Sequence, residues 1–346
     1  MIDASLLRVL SAFAGSPQTF AAPPIPITGG FWAAIYGFEL SDPPADLHGP
    51  LVLRVMPSPD VGARETIVQR GVADQGYPTP RVVLDGLDDA LGGAFMVMER
   101  VDGVQLLTGL AIGGALLRLP KTIRRVARLL ATATLQLHAL DAQPIADRLA
   151  SAGIDVGLLG VEARFAEIRD ALRSSATGFE ALLEWLQDRR PPMTPAVVCH
   201  GDIHPFNMLV NDDESFSVLD WTNGNLCRRE YDVGFTAALL HCAPISVPRL
   251  AEPALRAVTG ALARRFVDTY RRSARVNLEV VDWFEVLQYG RCLAAVAVAP
   301  IDDPIIGATH PFRLSARAMI RQLQLITDVT IELPRSGRAM PRAGVR

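Results

Sequence analysis

Between positions 200 and 221 the chain reads His200-Gly201-Asp202-Ile203-His204-Pro205-Phe206-Asn207 and then, after a short gap, Val218-Leu219-Asp220-Trp221. These residue types could work on a phosphate. One carboxylate can orient a hydroxyl and take its proton, while a second carboxylate and an amide oxygen can hold Mg²⁺. Asp202 and Asn207 lie on one loop, which sets their separation, and Asp220 closes an apolar run that reads as a strand. The same residues admit a second reading, a hydrolase metal cluster of His200, Asp202, His204 and Asp220. Such a dinuclear centre usually needs more histidine, and His48, His138, His241 and His310 stand in unrelated contexts. Cys199 precedes the loop with no activating base implied, so it reads as a buried strand residue.

The elements that must position these groups follow from hydrophobic spacing. A short helix is expected near the start, where Leu6, Leu7, Val9, Leu10 and Phe13 fit one helical face. The run Ser5–Gly15 has small residues at its end like a cleaved leader, but Asp3 and the interrupting Arg8 oppose that reading. Alternation around Thr28-Gly29-Gly30 predicts strands at Ile25–Ile27 and Ile35–Leu40 joined by a glycine-bearing turn. Leu51–Val55, Arg81–Leu84 and Phe95–Glu99 read as further strands, with a helix over Arg64–Gly71. Beyond Gly103 the period becomes helical: Thr122–Leu140 with Pro120 just at its start, then Val161–Leu172, Phe179–Leu186, Leu250–Ser273, Leu278–Ala299 and Arg313–Thr327. A β-like island, Ala196–Cys199, Met208–Val210 and Phe216–Leu219, carries the chemistry. Asp232 reads as the N-cap of a helix starting at Val233, His138 as a packed helix residue, and Trp221 as packing beside the Asp220 loop.

Composition narrows the class. A chain of 346 residues with 49% hydrophobic and 21% charged residues is that of a soluble globular protein of two domains or one two-lobed unit. The longest apolar run, Leu293–Pro300, is too short to span a bilayer. Cys199, Cys227, Cys242 and Cys292 form no C-x-x-C pair, which argues against a zinc ribbon or disulfide scaffold and suits the cytoplasm. A net charge of -3 points away from nucleic acid and anionic membranes as partners. Lys121 is the single lysine in a chain whose Lys and Arg total 34.

The island resembles the aminoglycoside phosphotransferase and choline kinase superfamily, whose pattern is close to HGD-(L/I)-H-x-x-N followed by (I/V)-(I/L)-D-W/F. Upstream, ITGGFWAAIYGFEL resembles that family's glycine-bearing strand-turn-strand, LVLRVMP its third strand, ARETIVQRGVADQGYPTPRVV its helix and following segment, and FMVMERVDG its hinge; downstream, EYDVGF resembles a helix opening. The resemblance covers about residues 20–240. It implies an α+β, protein-kinase-like two-lobed fold: a small β-rich nucleotide-binding lobe over 1–100, a hinge at 101–103, a larger helical catalytic lobe over 104–332 and a disordered tail over 333–346.

By motif position, the resemblance implies Asp202 as the catalytic base and Asn207 and Asp220 as Mg²⁺ ligands. Glu99 and Val101 would meet adenine through the backbone with Met98 behind them, and Gly29 and Gly30 would let a loop approach the phosphates. His200 would brace the loop. Where kinases carry a third-strand lysine this chain has Arg54, whose forked donors can grip phosphate oxygens and the helix carboxylate Glu65 together. Phe31 and Trp32 replace the usual small polar residues of the glycine loop. The implied activity is transfer of the γ-phosphate of ATP, with Mg²⁺, to a hydroxyl of a small molecule. The alternative is a catalytically impaired nucleotide-binding pseudokinase with a regulatory role, against which the retained Asp202, Asn207 and Asp220 count. Residues 221–332 hold 11 acidic residues against 13 arginines, which disfavours a polycationic aminoglycoside. No motif speaks to the substrate's identity or to oligomeric state.

Overall fold

The computed structural model describes residues 2–27, 33–56, 58–107, 115–154, 160–192, 196–245 and 247–334, with 115–118 described by backbone alone. Gly29, Gly30, Phe31, Trp32 and the tail beyond 334 lie outside the described residues. Two compact units divide the chain. The first comprises Met1–Leu110, Gln136–Val156 and Pro205–Leu226, the second Ala111–Leu135, Gly157–His204 and Cys227–Arg346.

In the first unit, α1 (Ile2–Ala14) precedes β1 (Phe20–Pro26), β2 (Ala34–Leu40), β3 (Leu51–Met56), α2 (Pro59–Ala73), β4 (Val82–Asp88) and β5 (Gly93–Glu99). The strands form an antiparallel sheet in the order β1-β2-β3-β5-β4. Strand alternation sorts β3 and β5 into two faces. Leu51, Leu53 and Val55 pack with Phe95 and Val97 against Leu6 and Leu10 of α1, both fully buried. Met56, Ala94 and Met96 form a second apolar cluster on the other face, joined by Met98. Arg54 shares that face because it lies two residues from Met56. The expected N-terminal helix is therefore present, although Phe13 is exposed rather than buried with its neighbours. Ser58 caps α2 by accepting the Val61 N–H, with Pro59 at the first helical position. This unit also holds β6 (Val104–Gln105), α4 (Gln143–Ser151), β8 (Met208–Val210) and β9 (Phe216–Val218), with β6, β8 and β9 forming a small antiparallel sheet.

The second unit is mainly helical. It takes most of α3 (Ala115–Leu137), then α5 (Val161–Asp170), α6 (Phe179–Asp188), β7 (Val197–Cys199), α7 (Arg229–His241), α8 (Glu252–Arg271), α9 (Leu278–Val298) and α10 (Pro311–Thr327); β10 (Asn225–Cys227) spans the division. α9 is buried around most of its circumference and centres the core, with Trp283 and Phe284 packed edge to face at 4.9 Å. Gly234 lets α7 cross it closely: a Cβ there would lie 2.6 Å from the Phe284 Cβ and 2.7 Å from the Val281 carbonyl. Two expectations are corrected. α3 begins at Ala115, so Pro120 lies inside the helix and forfeits one backbone bond. α7 begins at Arg229, which puts Asp232 in its first turn instead of at the cap. Among the described residues no helix is long and apolar enough to cross a membrane.

Candidate active site

A buried ionic cluster forms in the first unit around Arg54. Its Nε lies 3.0 Å from Glu65 Oε1, an ion pair held by charge without an aligned hydrogen bond. Its Nη2 donates to Asp220 Oδ1 at 2.9 Å and to Thr222 Oγ1 at 2.7 Å. Glu65, on α2, is 1% exposed. Burial pushes its carboxyl up to about 7 against the opposing pull of Arg54. Burial also works against the Arg54 charge, but Glu65 and Asp220 outweigh it and the guanidinium holds its proton more tightly than usual. Arg54 and Glu65 thus meet as expected from the sequence, and Asp220 joins them from 166 positions along the chain.

The β8–β9 ladder brings Asn207 beside Asp220. Met208 faces Val218, and the Leu219 N–H donates to the Asn207 carbonyl at 2.8 Å, so Asn207 stands across from the residue before Asp220. Asp220 has φ 65°, a left-handed conformation that Asp tolerates better than most residues and that occurs often at functional turns. The segment is anchored at its base: the Val218 N–H donates to the Pro78 carbonyl and the Val218 carbonyl accepts from Thr79 Oγ1, both at 2.8 Å. Trp221 is fully buried, donates Nε1–H to the same threonine at 2.8 Å and meets Tyr77 edge to face. It packs, as expected.

At the end of β5, Met98 is partly buried and its sulfur receives the Gln69 amide at 3.7 Å. The Glu99 and Arg100 N–H groups donate to the Arg81 and Pro50 carbonyls, each at 3.0 Å. The Glu99 carboxylate binds the Arg81 guanidinium. Among the described residues none accepts the Val101 N–H.

The second unit builds the loop that carries Asp202. His200 is fully buried and Gly201 adopts φ 73°, a left-handed turn that suits glycine. The Asp232 carboxylate accepts both backbone N–H groups, from His200 at 2.9 Å and from Gly201 at 2.6 Å. The Asp202 N–H donates to His200 Nδ1 at 3.2 Å, so that nitrogen carries no proton and the imidazole braces the turn. This use of His200 weakens the hydrolase-cluster reading. Asp202 itself is partly exposed, with His204 Nε2 3.7 Å from its Oδ1. Cys199 is fully buried, and burial first and Asp232 second raise its thiol well above the ordinary range, which suits an inert core residue.

Sequence reasoning missed Thr222, Arg64 and the true use of Asp232. Thr222 sits at the centre of the Arg54 cluster, and Arg64 Nη2 donates to its carbonyl at 2.6 Å. A hydroxyl residue two places after an Asp is a turn signal that could have drawn attention to it.

No curated protein matches the sequence. Solved structures do match its fold. A candidate aminoglycoside phosphotransferase from Ralstonia eutropha JMP134 shares 16% identity over 95% of this chain and 99% of its own, with a TM-score of 0.56. A thermostable mutant of aminoglycoside phosphotransferase APH(4)-Ia, in a ternary complex with ADP and hygromycin B, shares 16% over 94% and 98%, with a TM-score of 0.55. A macrolide 2'-phosphotransferase from Brachybacterium faecium shares 20% over 92% and 97%, with a TM-score of 0.50. The fold is the α+β, kinase-like one that the sequence led us to expect. Residues 44–276 match the model of the phosphotransferase enzyme family, and the chain belongs to that family.

Proposed function

We propose that this chain is an ATP- and Mg²⁺-dependent kinase that transfers the γ-phosphate to a hydroxyl of a small molecule. The observation that carries this reading is the buried Arg54–Glu65 pair, with Asp220 bound to Arg54 and Asn207 just before β8, its carbonyl accepting the Leu219 N–H. A binding protein without catalysis has no need for that set together with Asp202, so the pseudokinase alternative is disfavoured. Fold relatives support the nucleotide and the kind of acceptor, since one was crystallised with ADP and hygromycin B and another is a macrolide phosphotransferase.

In this reading Asp202 holds the acceptor hydroxyl and takes its proton. Arg54 supplies the fixed cation for the non-transferred phosphates, with Glu65 orienting its guanidinium. A planar fork grips two oxygens where a lysine would present a point charge. Asp220 and Asn207 offer hard oxygen donors, and Asp220 is partly exposed, so the pair fits Mg²⁺. The ion would supply neutralisation of phosphate charge. Met98 backs the adenine, while the Glu99 carbonyl and the Val101 N–H, which no described residue accepts, would meet its edge. Gly29 and Gly30 would flank the phosphates. The hinge that the family resemblance implies at 101–103 falls inside the first compact unit, which runs on to Leu110, and the partner is a small molecule in the cytoplasm, not nucleic acid or a membrane. The charge balance of residues 221–332 disfavours a polycationic aminoglycoside.

Calorimetry of ATP binding with and without Mg²⁺, followed by a substrate panel with labelled ATP, tests the reading. Wild type should bind ATP more tightly with Mg²⁺ and label at least one hydroxyl compound. Asp220→Ala should lose the Mg²⁺-dependent tightening. Equal ATP affinity in wild type and Asp220→Ala would reject the assignment.

A further inference from the structure

The Thr222 hydroxyl occupies an unusual position. Three charged groups converge on its oxygen: Arg54 Nη2 at 2.7 Å, Asp220 Oδ1 at 2.6 Å and Glu65 Oε2 at 3.2 Å. A hydroxyl has one proton to give and two lone pairs to receive. The guanidinium is only a donor, so it takes a lone pair. The single proton then goes to one carboxylate, and the shorter distance selects Asp220.

Asp220 Oδ1 therefore receives the Thr222 hydroxyl, Arg54 Nη2 at 2.9 Å and the more distant Thr222 N–H at 3.4 Å. These bonds hold a carboxylate whose own backbone sits at φ 65°. The threonine's backbone is held in turn by Arg64, whose Nη2 donates to its carbonyl. A β-branched side chain has few rotamers, so a fixed backbone aims the hydroxyl with little freedom.

We infer that Thr222 is a positioning residue: its hydroxyl sets the orientation of the Asp220 carboxylate and couples it to Arg54. The inference rests on the kinase reading, in which Asp220 holds the metal. It adds that the aspartate alone is insufficient. Without the hydroxyl, Asp220 keeps its charge but not its aim, and Arg54 loses one of the acceptors that place its Nη2.

The test measures nucleotide binding, not turnover. ATP is titrated with and without Mg²⁺ into wild type, Thr222→Val and Thr222→Ser, each first checked for cooperative melting. Thr222→Val keeps the shape and removes the hydroxyl; Thr222→Ser keeps the hydroxyl and removes a methyl. We expect Thr222→Val to reduce the Mg²⁺-dependent gain in affinity about tenfold, as for loss of a hydrogen bond to a charged group. Metal-free binding should change less than about twofold, and Thr222→Ser should stay within about threefold of wild type, by the same reasoning. If Thr222→Val retains the full gain, or Thr222→Ser loses as much, the hydroxyl is not the positioning group. If Thr222→Val does not fold, the serine comparison decides alone, since a large loss there overturns the inference. If wild type shows no Mg²⁺-dependent gain, the kinase reading fails and the inference falls with it.

Discussion

Replacing Arg54 with methionine should destabilise the protein by an amount that grows with pH. Glu65 is almost fully buried, and its carboxyl titrates at about 7 instead of its ordinary 4.5. A folded-state pKa above the unfolded one means that the native state binds the proton more tightly. The contribution of Glu65 to stability is therefore greatest below about pH 4.5 and falls as pH rises through 7, by ~1.4 kcal/mol for each pH unit. In wild type the fall ends near 7, where Glu65 ionises beside Arg54, for a total near 3 kcal/mol. Methionine removes the cation that holds the carboxyl down. Its pKa then climbs further, and the fall continues above 7. Around pH 5.5 both folded proteins hold a neutral Glu65 and differ by lost packing, lost hydrogen bonds and the lost Arg54–Asp220 ion pair, none of which follows the Glu65 titration. At pH 8, one unit above 7, the gap should be wider than at pH 5.5 by up to ~1.4 kcal/mol, and at pH 8.5 by up to ~2 kcal/mol. Urea unfolding followed by circular dichroism at pH 5.5, 7 and 8.5 reads this difference directly, provided the m-values agree. Adding Glu65→Gln to the methionine variant should abolish the widening. A gap independent of pH would refute the argument, because it would mean that Glu65 is not the titrating partner of Arg54.

Two further outcomes follow. Asp202→Asn should cut turnover by ~10²-fold or more while leaving ATP affinity near wild type, as single-turnover kinetics beside calorimetry would show, and unchanged turnover would remove Asp202 from the reaction. Asp232→Asn replaces one of two acceptors for the His200 and Gly201 N–H groups by a donor, so a melting and kinetic comparison should find ~1–3 kcal/mol of lost stability and a lower kcat with little change in ATP binding.

The local elements were legible because they are encoded at short range. Alternation marked β3 and β5, helical spacing marked α9 and α10, and the boundaries moved by only a few residues. Helix ends were less secure: Asp232 has the chemistry of a cap, and only the fold shows that its carboxylate is spent on amides 31 and 32 residues upstream. The candidate site was partly legible for a different reason. Asp202, Asn207 and Asp220 lie close in sequence, and Arg54 is a charge inside an apolar strand that needs a counter-ion. Glu65 was the near carboxylate on the following helix, and the ion pair formed. The spacing of Thr222 from Asp220 signalled only a turn, because Thr222 has no charge and no periodicity to mark it as part of a site. Its importance comes from an oxygen that lies within 3.2 Å of groups drawn from β3, α2 and the turn after β9. Residue types and their short-range spacing encode most of the elements, the chemistry-bearing groups and the family pattern they compose. Tertiary structure alone decided which donors share one acceptor, because hydrogen-bond partnership across 157 and 168 positions depends on distance and direction, and neither is written in residue order.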